Sequence, residues 1–368
     1  MTTLTPKQAM LMAIEEARKG AGFVSPNPLV GCVIVDRDHQ LLSCGHHARA
    51  GQAHAEVNAL AAVGKPESLQ GAHVYVTLEP CAHQGRTPSC AKALAQLPIR
   101  SVTYGLVDPN PLVSGKGAEI LRQAGKSVVH FTELHEELED LAEIFLLNMR
   151  SQRPFVGLKI ATSLDGKIAL ENGVSQWITG SEARQEVQSL RGAYDAVLIG
   201  ANTFLQDNPS LNSRDPRFAQ KPQKAVLFDP KGRCLSRLAE SKLLQVRRRE
   251  DLYYVSGPGQ SALEGAHHLS TSAPEFVLSE VLAWLYSQGI RSLLVEGGGL
   301  TFSGFVQQNL VDRIFLFVAP KIIGRGISWA ESLRLDDLQK ARLFHRLKTT
   351  QFGNDVLLSG STRPTTKT

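Results

Sequence analysis

Short apolar runs alternate with helix-patterned segments twice along this chain, and the punctuation Ser151-Gln152-Arg153-Pro154 falls between the two series. That double alternation limits the fold most strongly, because strands and helices in turn pack as layered α/β structure. In the first series "TPKQAMLMAIEEARKG" spaces its apolar residues as a helix and stops at Gly20, while "NPLVGCVIVDRD" reads as a strand ended by charge. "HAEVNALAAVG" and "SCAKALAQL" read as helices, "AHVYVTLEP" and "RSVTYGLVD" as strands, and "ELHEELEDLAEIFLLNMR" as one acidic helix. The second series offers strands in "FVGLKIATSLDGKIA", "AYDAVLIGA", "KAVLFD", "RSLLVEGGG" and "RIFLFVAPKII". A length of 368 residues suits two domains with separate cores, which we place at residues 1–150 and 151–368. The polar stretch from Gln206 to Gln223 is too long for a plain connection and reads as a binding loop. The tail "STRPTTKT" reads as disordered.

Composition excludes several classes. No stretch approaches the ~20 apolar residues of a membrane span, and the first residues lack the basic start and apolar core of a secretory signal. Five cysteines, an odd and sparse set, argue against a disulfide framework and for a reducing, cytoplasmic setting. Cys32, Cys44 and Cys234 have no metal-like neighbours and read as packing residues. The net charge of +5 suits phosphorylated small molecules or nucleic acid. Aromatics at 6% leave few stacking platforms for single strands, and the one dense basic run, Arg247 to Arg249, is closed at once by Glu250 and Asp251. Neither nucleic acid nor membrane is expected as a partner.

Chemistry concentrates in "HAEVNAL" and "EPCAHQGRTPSC". Zinc selects thiolates and imidazole, and a catalytic zinc keeps three protein ligands with a fourth position open. His54, Cys81 and Cys90 supply that count, and Glu56 is left over as a proton carrier. Residues two apart diverge on a regular helix, so His54 and Glu56 converge only if His54 stands at the edge of the helix. Gly51 permits that. A helix opening near Cys90 helps hold a thiolate at its positive end. His83 is either a fourth ligand or a substrate contact, and its place in the mouth of the site favours the contact.

These residues resemble the cytidine-deaminase-like superfamily, with its histidine-x-glutamate and proline-cysteine-to-cysteine signature. Nucleoside and tRNA members place two residues between the cysteines, whereas eight intervene here. With "SPNPLVGCVIV" upstream and "DPNPLVSGKG" downstream, the chain is similar to the bifunctional deaminase/reductases of riboflavin biosynthesis. The resemblance implies a cytidine-deaminase-like N-terminal domain, zinc on His54, Cys81 and Cys90, and a diaminopyrimidinone ribosylamino 5′-phosphate as substrate. The amino group at ring position 2 would leave as ammonia while Glu56 moves the protons. Asn27, His47, His83 and Asn110 fall at positions that look like substrate contacts. For Asn27 and Asn110, both in Asn-Pro pairs, turn chemistry is the other reading.

In the second half, "VEGGGLTFSGFV" sets a glycine cluster between an apolar run and a helix, where backbone N–H groups can approach a phosphate. Thr179 and Glu182 make a capping box for a helix that Arg191 closes, with Val187 and Leu190 on one face. Together with "SLDGKIA" and "DAVLIGANTFLQDNPSLNSR", this resembles the reductase half of the same family. The resemblance implies a dihydrofolate-reductase-like C-terminal domain that uses NADPH. By that match Ala161, Trp177, Thr203, Asp207 and the segment Gly298, Gly299, Leu300, Thr301, Phe302, Ser303 and Gly304 line the cofactor. Ser175, Arg191, Leu211, Arg214 and Glu296 face the substrate, the two arginines being suited to a ribose phosphate. In "FDPKG" the chain departs from relatives that often carry a small polar residue at the Pro230 position, and no cofactor contact is assigned there. The rival readings are a nucleoside or tRNA-base deaminase with an accessory domain, and a zinc-stabilised nucleic-acid-binding module. A homo-oligomer is expected.

Overall fold

The computed structural model describes residues 3–82, 89–110, 114–272 and 278–364, and the chain divides into two compact units, residues 1–151 and 152–368. The first unit runs α1 (Pro6–Arg18), β1 (Gly31–Val35), β2 (Leu41–His46), α2 (Ala55–Ala61), β3 (His73–Leu78), α3 (Cys90–Ala95), β4 (Ser101–Leu106), α4 (Lys116–Gln123), β5 (Ser127–His130), α5 (His135–Leu141) and α6 (Glu143–Ser151). Its sheet has the order β2-β1-β3-β4-β5, with β1 antiparallel to both neighbours and β3, β4 and β5 parallel.

Alternate residues of each strand serve opposite faces, and both faces are covered. Cys32, Ile34, Val74, Val76 and Val102 pack with Ala55, Ala59, Leu94 and Leu121 from α2, α3 and α4. Val33, Val35, Tyr75 and Leu106 meet Met10, Ile14 and Leu138 from α1 and α5. The acidic segment forms two helices instead of one, because Ala142 leaves helical geometry (φ −97°, ψ 8°) between Leu138 and Leu146, both buried.

The second unit runs β6 (Phe155–Ser163), β7 (Lys167–Leu170), α7 (Ser181–Ala193), β8 (Ala196–Gly200), α8 (Ala201–Asp207), β9 (Lys224–Asp229), α9 (Leu235–Leu238), α10 (Lys242–Gln245), β10 (Leu252–Ser256), β11 (His267–Ser270), α11 (Leu278–Ser287), β12 (Ser292–Gly297), α12 (Gly299–Gln307), β13 (Arg313–Ala319), β14 (Gly326–Ser328), β15 (His345–Phe352) and β16 (Asp355–Ser361). Nine strands form one sheet, β11-β10-β9-β8-β12-β6-β13-β16-β15, parallel as far as β13 and antiparallel beyond, while β7 and β14 pair separately.

Val156, Leu158, Leu198, Val226, Leu293 and Val295 pack with Val281, Leu285, Phe302 and Phe305 of α11 and α12. On the other face Ala183 and Val187 of α7 meet Phe317 and Leu357. The cap of α7 differs from the sequence expectation. Its N-cap is Gly180, without a side-chain cap from Thr179, and Gly180 N–H donates to Asp355 Oδ2 at 2.6 Å. A carboxylate from β16 supplies the acceptor at the positive end of the helix. At the C-terminus Ser361 still belongs to β16 and Thr362 N–H bonds Asp312 O at 2.9 Å; residues 365–368 lie outside the described residues.

Candidate functional site

In the first unit the parallel strands β3 and β4 end side by side, Leu78 pairing with Leu106. Cys81 follows β3, Cys90 is the first residue of α3, and His54 is the N-cap of α2 with extended backbone (φ −74°, ψ 165°). His54 Nδ1 lies 3.6 Å from Cys81 Sγ and 3.4 Å from Cys90 Sγ, and all three donor atoms fall within 4.8 Å of one another. Zinc bonds to imidazole and thiolate in a tetrahedron put those atoms about 3.6 Å apart. The donors therefore fit zinc in kind and in spacing.

The thiols are set apart electrostatically. Cys81 is held down to about 4, first by the hydrogen bond from the Cys90 thiol and then, against burial, by His54 and the Cys90 backbone N–H, which lies 3.3 Å from its sulfur. The same Cys81 contact pushes Cys90 up, with burial adding to it. A divalent cation held by both sulfurs would displace the proton that Cys90 keeps. Glu56, in the first turn of α2, is buried with its carboxyl pushed up to about 6, chiefly by burial. A carboxyl that can both take and return a proton near neutrality thus stands beside the donors.

Asn27 Nδ2 lies 3.0 Å from His47 Nε2, His47 Nδ1 lies 3.0 Å from Ala53 O, and the His47 ring stands edge-on to His54 at 5.5 Å. Asn27 and His47 are thereby gathered beside the donor triangle. Asn110 sits just beyond β4, its N–H on Asp108 Oδ1 at 2.9 Å. His83 lies outside the described residues. Cys32 and Cys234 are buried and Cys44 is half-buried; none of them joins the three donors. Glu79 is a residue that the sequence did not single out. Its buried carboxylate accepts from Gly115 N at 3.0 Å and Ala118 N at 3.1 Å, fixing the segment ahead of Cys81 to the start of α4. Its signal was the acid in "LEPC", two residues before Cys81.

In the second unit a cavity of about 1010 Å³ opens at the C-terminal ends of β8, β9 and β12. Ala161, Ser175, Trp177, Arg191, Thr203, Asp207, Leu211, Arg214, Glu296, Gly298, Gly299, Leu300, Thr301, Phe302 and Gly304 line it. Ser303 does not: it is buried, and its Oγ has no hydrogen-bond partner among the described residues. Trp177 is 62% exposed under the Arg184 guanidinium, 4.6 Å from its ring, so it is no core residue. Pro230 also lines the cavity.

Glycines bring backbone close at the cradle. A Cβ at Gly298 would lie 3.0 Å from Thr203 Oγ1, one at Gly299 3.0 Å from Ser328 O, and one at Gly200 2.6 Å from Thr301 Oγ1. The N-terminus of α12 opens there, a setting that favours a diphosphate. Cradle and volume together fit a dinucleotide beside a second small molecule.

Across the cavity Arg191 grips Glu296 with both arms, Nε to Oε1 at 2.5 Å and Nη2 to Oε2 at 2.9 Å, and Nη1 reaches Asn212 O at 3.2 Å. Its fork is thus already engaged, which leaves Arg214 as the freer guanidinium of the two. Lys159 Nζ, missed in the sequence, stands 3.8 Å from Glu296 Oε2. It was legible as the single charge inside the apolar run "FVGLKIATS". Burial pulls the Lys159 ammonium down, and the carboxylate only partly offsets this. For Glu296 burial pushes upward, but Arg191 and Lys159 outweigh it and hold the carboxyl low.

Comparison with known proteins covers both units. Residues 4–106 match the cytidine and deoxycytidylate deaminase zinc-binding region, and residues 154–358 match the RibD C-terminal domain. The chain is 36% identical over 356 residues to riboflavin biosynthesis protein RibD of Aquifex aeolicus, covering 96% of this chain and 97% of that one. The chain belongs to the RibD family. Its counterpart from Actinobacillus pleuropneumoniae is 40% identical, covering 97% of this chain and 95% of the relative. Among solved structures, RibD of Acinetobacter baumannii superposes with a TM-score of 0.81 at 35% identity, covering 97% and 98% of the two chains. The Thermotoga maritima diaminohydroxyphosphoribosylaminopyrimidine deaminase/5-amino-6-(5-phosphoribosylamino)uracil reductase does so at 0.84, with 34% identity and the same coverage. This RibD-family chain is a bifunctional deaminase and reductase of riboflavin biosynthesis, with a cytidine-deaminase-like zinc-binding domain and a dihydrofolate-reductase-like domain that uses NADPH.

Proposed function

We propose that residues 1–150 deaminate 2,5-diamino-6-(5-phosphoribosylamino)pyrimidin-4-one and that residues 151–368 then reduce the ribosyl chain of 5-amino-6-(5-phosphoribosylamino)uracil to ribityl. The names of the relatives supply the substrates, and the observation that carries the reading is the His54, Cys81 and Cys90 triangle with Glu56 buried beside it. Zinc held by these donors supplies a water acidified to near-neutral pKa. Glu56 takes a proton from the attacking water and delivers it to the departing amino group, a task its raised pKa suits. Asn27 and His47, linked to each other, orient the pyrimidine, with His83 and Asn110 as further contacts.

In the second unit NADPH supplies the hydride. The glycine segment from Gly298 to Gly304, with Ala161, Trp177, Thr203 and Asp207, forms its bed. Arg214 takes the ribose phosphate, and Ser175 and Leu211 shape the wall. Arg191 and Lys159 hold Glu296 in its ionised form toward the substrate. A cytoplasmic setting is supported by five cysteines without a disulfide. A homo-oligomer is supported by the outer strand β15, which pairs only with β16 among the described residues, and by exposed Leu343 and Leu347. Incubation of the purified protein with the diaminopyrimidine tests the pairing of activities. Ammonia is released without NADPH, and NADPH is oxidised only once deamination has occurred; NADPH oxidation without ammonia release would overturn the order.

A further inference from the structure

The stretch from Gln206 to Gln223 runs between two cavities. Ser210, Leu211 and Arg214 line the large one, whereas Asn212 and Ser213 line a second of about 280 Å³, completed by the end of the same stretch and by the segment joining α10 to β10. Leu211 holds φ +55° in this partition, a backbone that costs a bulky side chain free energy and persists only where packing on both sides enforces it. What fills one cavity therefore bears on the residues that face the other.

The small cavity is cationic. Lys221, Arg247 and Arg248 line it against one carboxylate, Asp251, which Arg248 Nε already engages at 3.2 Å. Lys221 Nζ donates to Gly192 O at 2.7 Å and Tyr194 O at 2.6 Å, at the end of α7, and Arg247 donates to Gln223 O, Leu243 O and Ser210 O at 2.8 Å each. These partners are neutral carbonyls, and neither side chain makes an ion pair among the described residues. Burial accordingly pulls the Lys221 ammonium down to about 8 and the Arg247 guanidinium down to about 10. Enclosed cations without a counter-ion are costly, and an anion placed between them offsets that cost.

We propose that the small cavity binds a phosphate-sized oxyanion between Lys221, Arg247 and Arg248, and that its occupancy holds the stretch in the form that turns Arg214 toward the large cavity. Lys221 uses two of its three N–H donors and Arg247 three of its five, so both keep donors for an oxyanion. Because Arg247 is also bonded to Ser210 O and Gln223 O, an anion that fixes its guanidinium fixes the stretch on either side of Asn212 and Ser213. The binding rests on this cavity alone, and the coupling rests on the reading of Arg214 as the contact to the substrate phosphate.

Calorimetric titration of the full chain carrying Arg214→Ala with inorganic phosphate, at constant ionic strength, tests the site without the rival contact in the large cavity. Binding is expected to persist. Ala219 is exposed and lines the small cavity, so Ala219→Glu supplies the missing anion from the chain itself. Added to Arg214→Ala it abolishes phosphate binding, and alone it raises the melting temperature in phosphate-free buffer. Lys221→Met weakens phosphate binding about tenfold or more. Glycerol 3-phosphate, titrated in parallel, distinguishes a phosphomonoester from the free ion by which of the two binds more tightly. No binding in Arg214→Ala, or binding that Ala219→Glu leaves intact, overturns the site. The coupling has its own readout: Ala219→Glu lowers the reductase KM for the phosphorylated substrate about fivefold or more and leaves ammonia release as before. An unchanged KM, where the double variant no longer binds phosphate, overturns the coupling and not the site. A reductase KM that Arg214→Ala does not alter overturns the reading of Arg214 instead.

Discussion

Glu56 is a buried carboxylate and Glu296 a half-buried one at the cavity wall, and their surroundings send them in opposite directions. Burial dominates at Glu56, whereas two cations dominate at Glu296. Glu56→Gln therefore keeps the metal, since His54, Cys81 and Cys90 remain, and lowers ammonia release about 10²- to 10⁴-fold, the usual worth of a general base. Zinc content by atomic absorption alongside an ammonia assay separates the two effects. Loss of zinc from this variant would instead make Glu56 a structural partner of the donors.

Glu296→Gln leaves the half-buried Arg191 and Lys159 without their carboxylate, which costs about 1 to 3 kcal/mol of stability in urea unfolding. The sign of its pH dependence follows from its lowered folded-state pKa. The stability it contributes is present above the ordinary carboxylate range and is lost as pH falls through the lower folded value. Glu296→Gln should flatten that acid limb.

At the scale of elements, α4 is pressed against the metal loop. A Cβ at Gly117 would collide with Pro80 O, next to Cys81, and Glu79 ties the same segment to the α4 N-terminus. Gly117→Ala displaces that segment and weakens zinc affinity about tenfold or more, as outer contacts of metal ligands do. Gly64→Ala, with nothing within 4 Å of its Cβ, leaves the affinity unchanged. Competition with a chromophoric chelator reads both.

Local pattern made the strands and helices legible, because sheets covered on both faces demand continuous apolar runs and helices a single stripe. The candidate metal donors His54, Cys81 and Cys90, which folding gathers within 4.8 Å, were legible because their residue types admit few other uses together. The cap of α7 was not, since its acceptor is Asp355, 175 residues away along the chain. Glu79 and Lys159 were also missed: a lone acid or lysine takes its meaning only from the N–H groups and carboxylate that folding places around it.

Across the whole molecule the two chemistries have separate cores and separate lining residues. The donor triangle belongs to residues 1–151, and every residue that lines the large cavity belongs to residues 152–368. Zinc removal and cavity substitution should therefore act on different halves of the reaction. Chelation abolishes ammonia release and leaves NADPH oxidation intact when the deaminated intermediate is supplied. Arg214→Ala does the reverse. In its proposed role Arg214 makes a charge-assisted contact to the substrate phosphate worth about 1.5 to 3 kcal/mol, so the reductase KM for that substrate rises roughly 10- to 100-fold in the variant. NADPH affinity and deamination stay as they were, and Arg214→Lys restores only part, since a point charge cannot reproduce the planar fork. Applied together, the two perturbations combine without an interaction energy, as independent sites do. Steady-state kinetics on the isolated intermediate, varying substrate and NADPH separately with and without chelator, decides the matter. A reductase defect on chelation would show that the second unit depends on the metal of the first. An Arg214 defect confined to NADPH would move that residue from the substrate to the coenzyme.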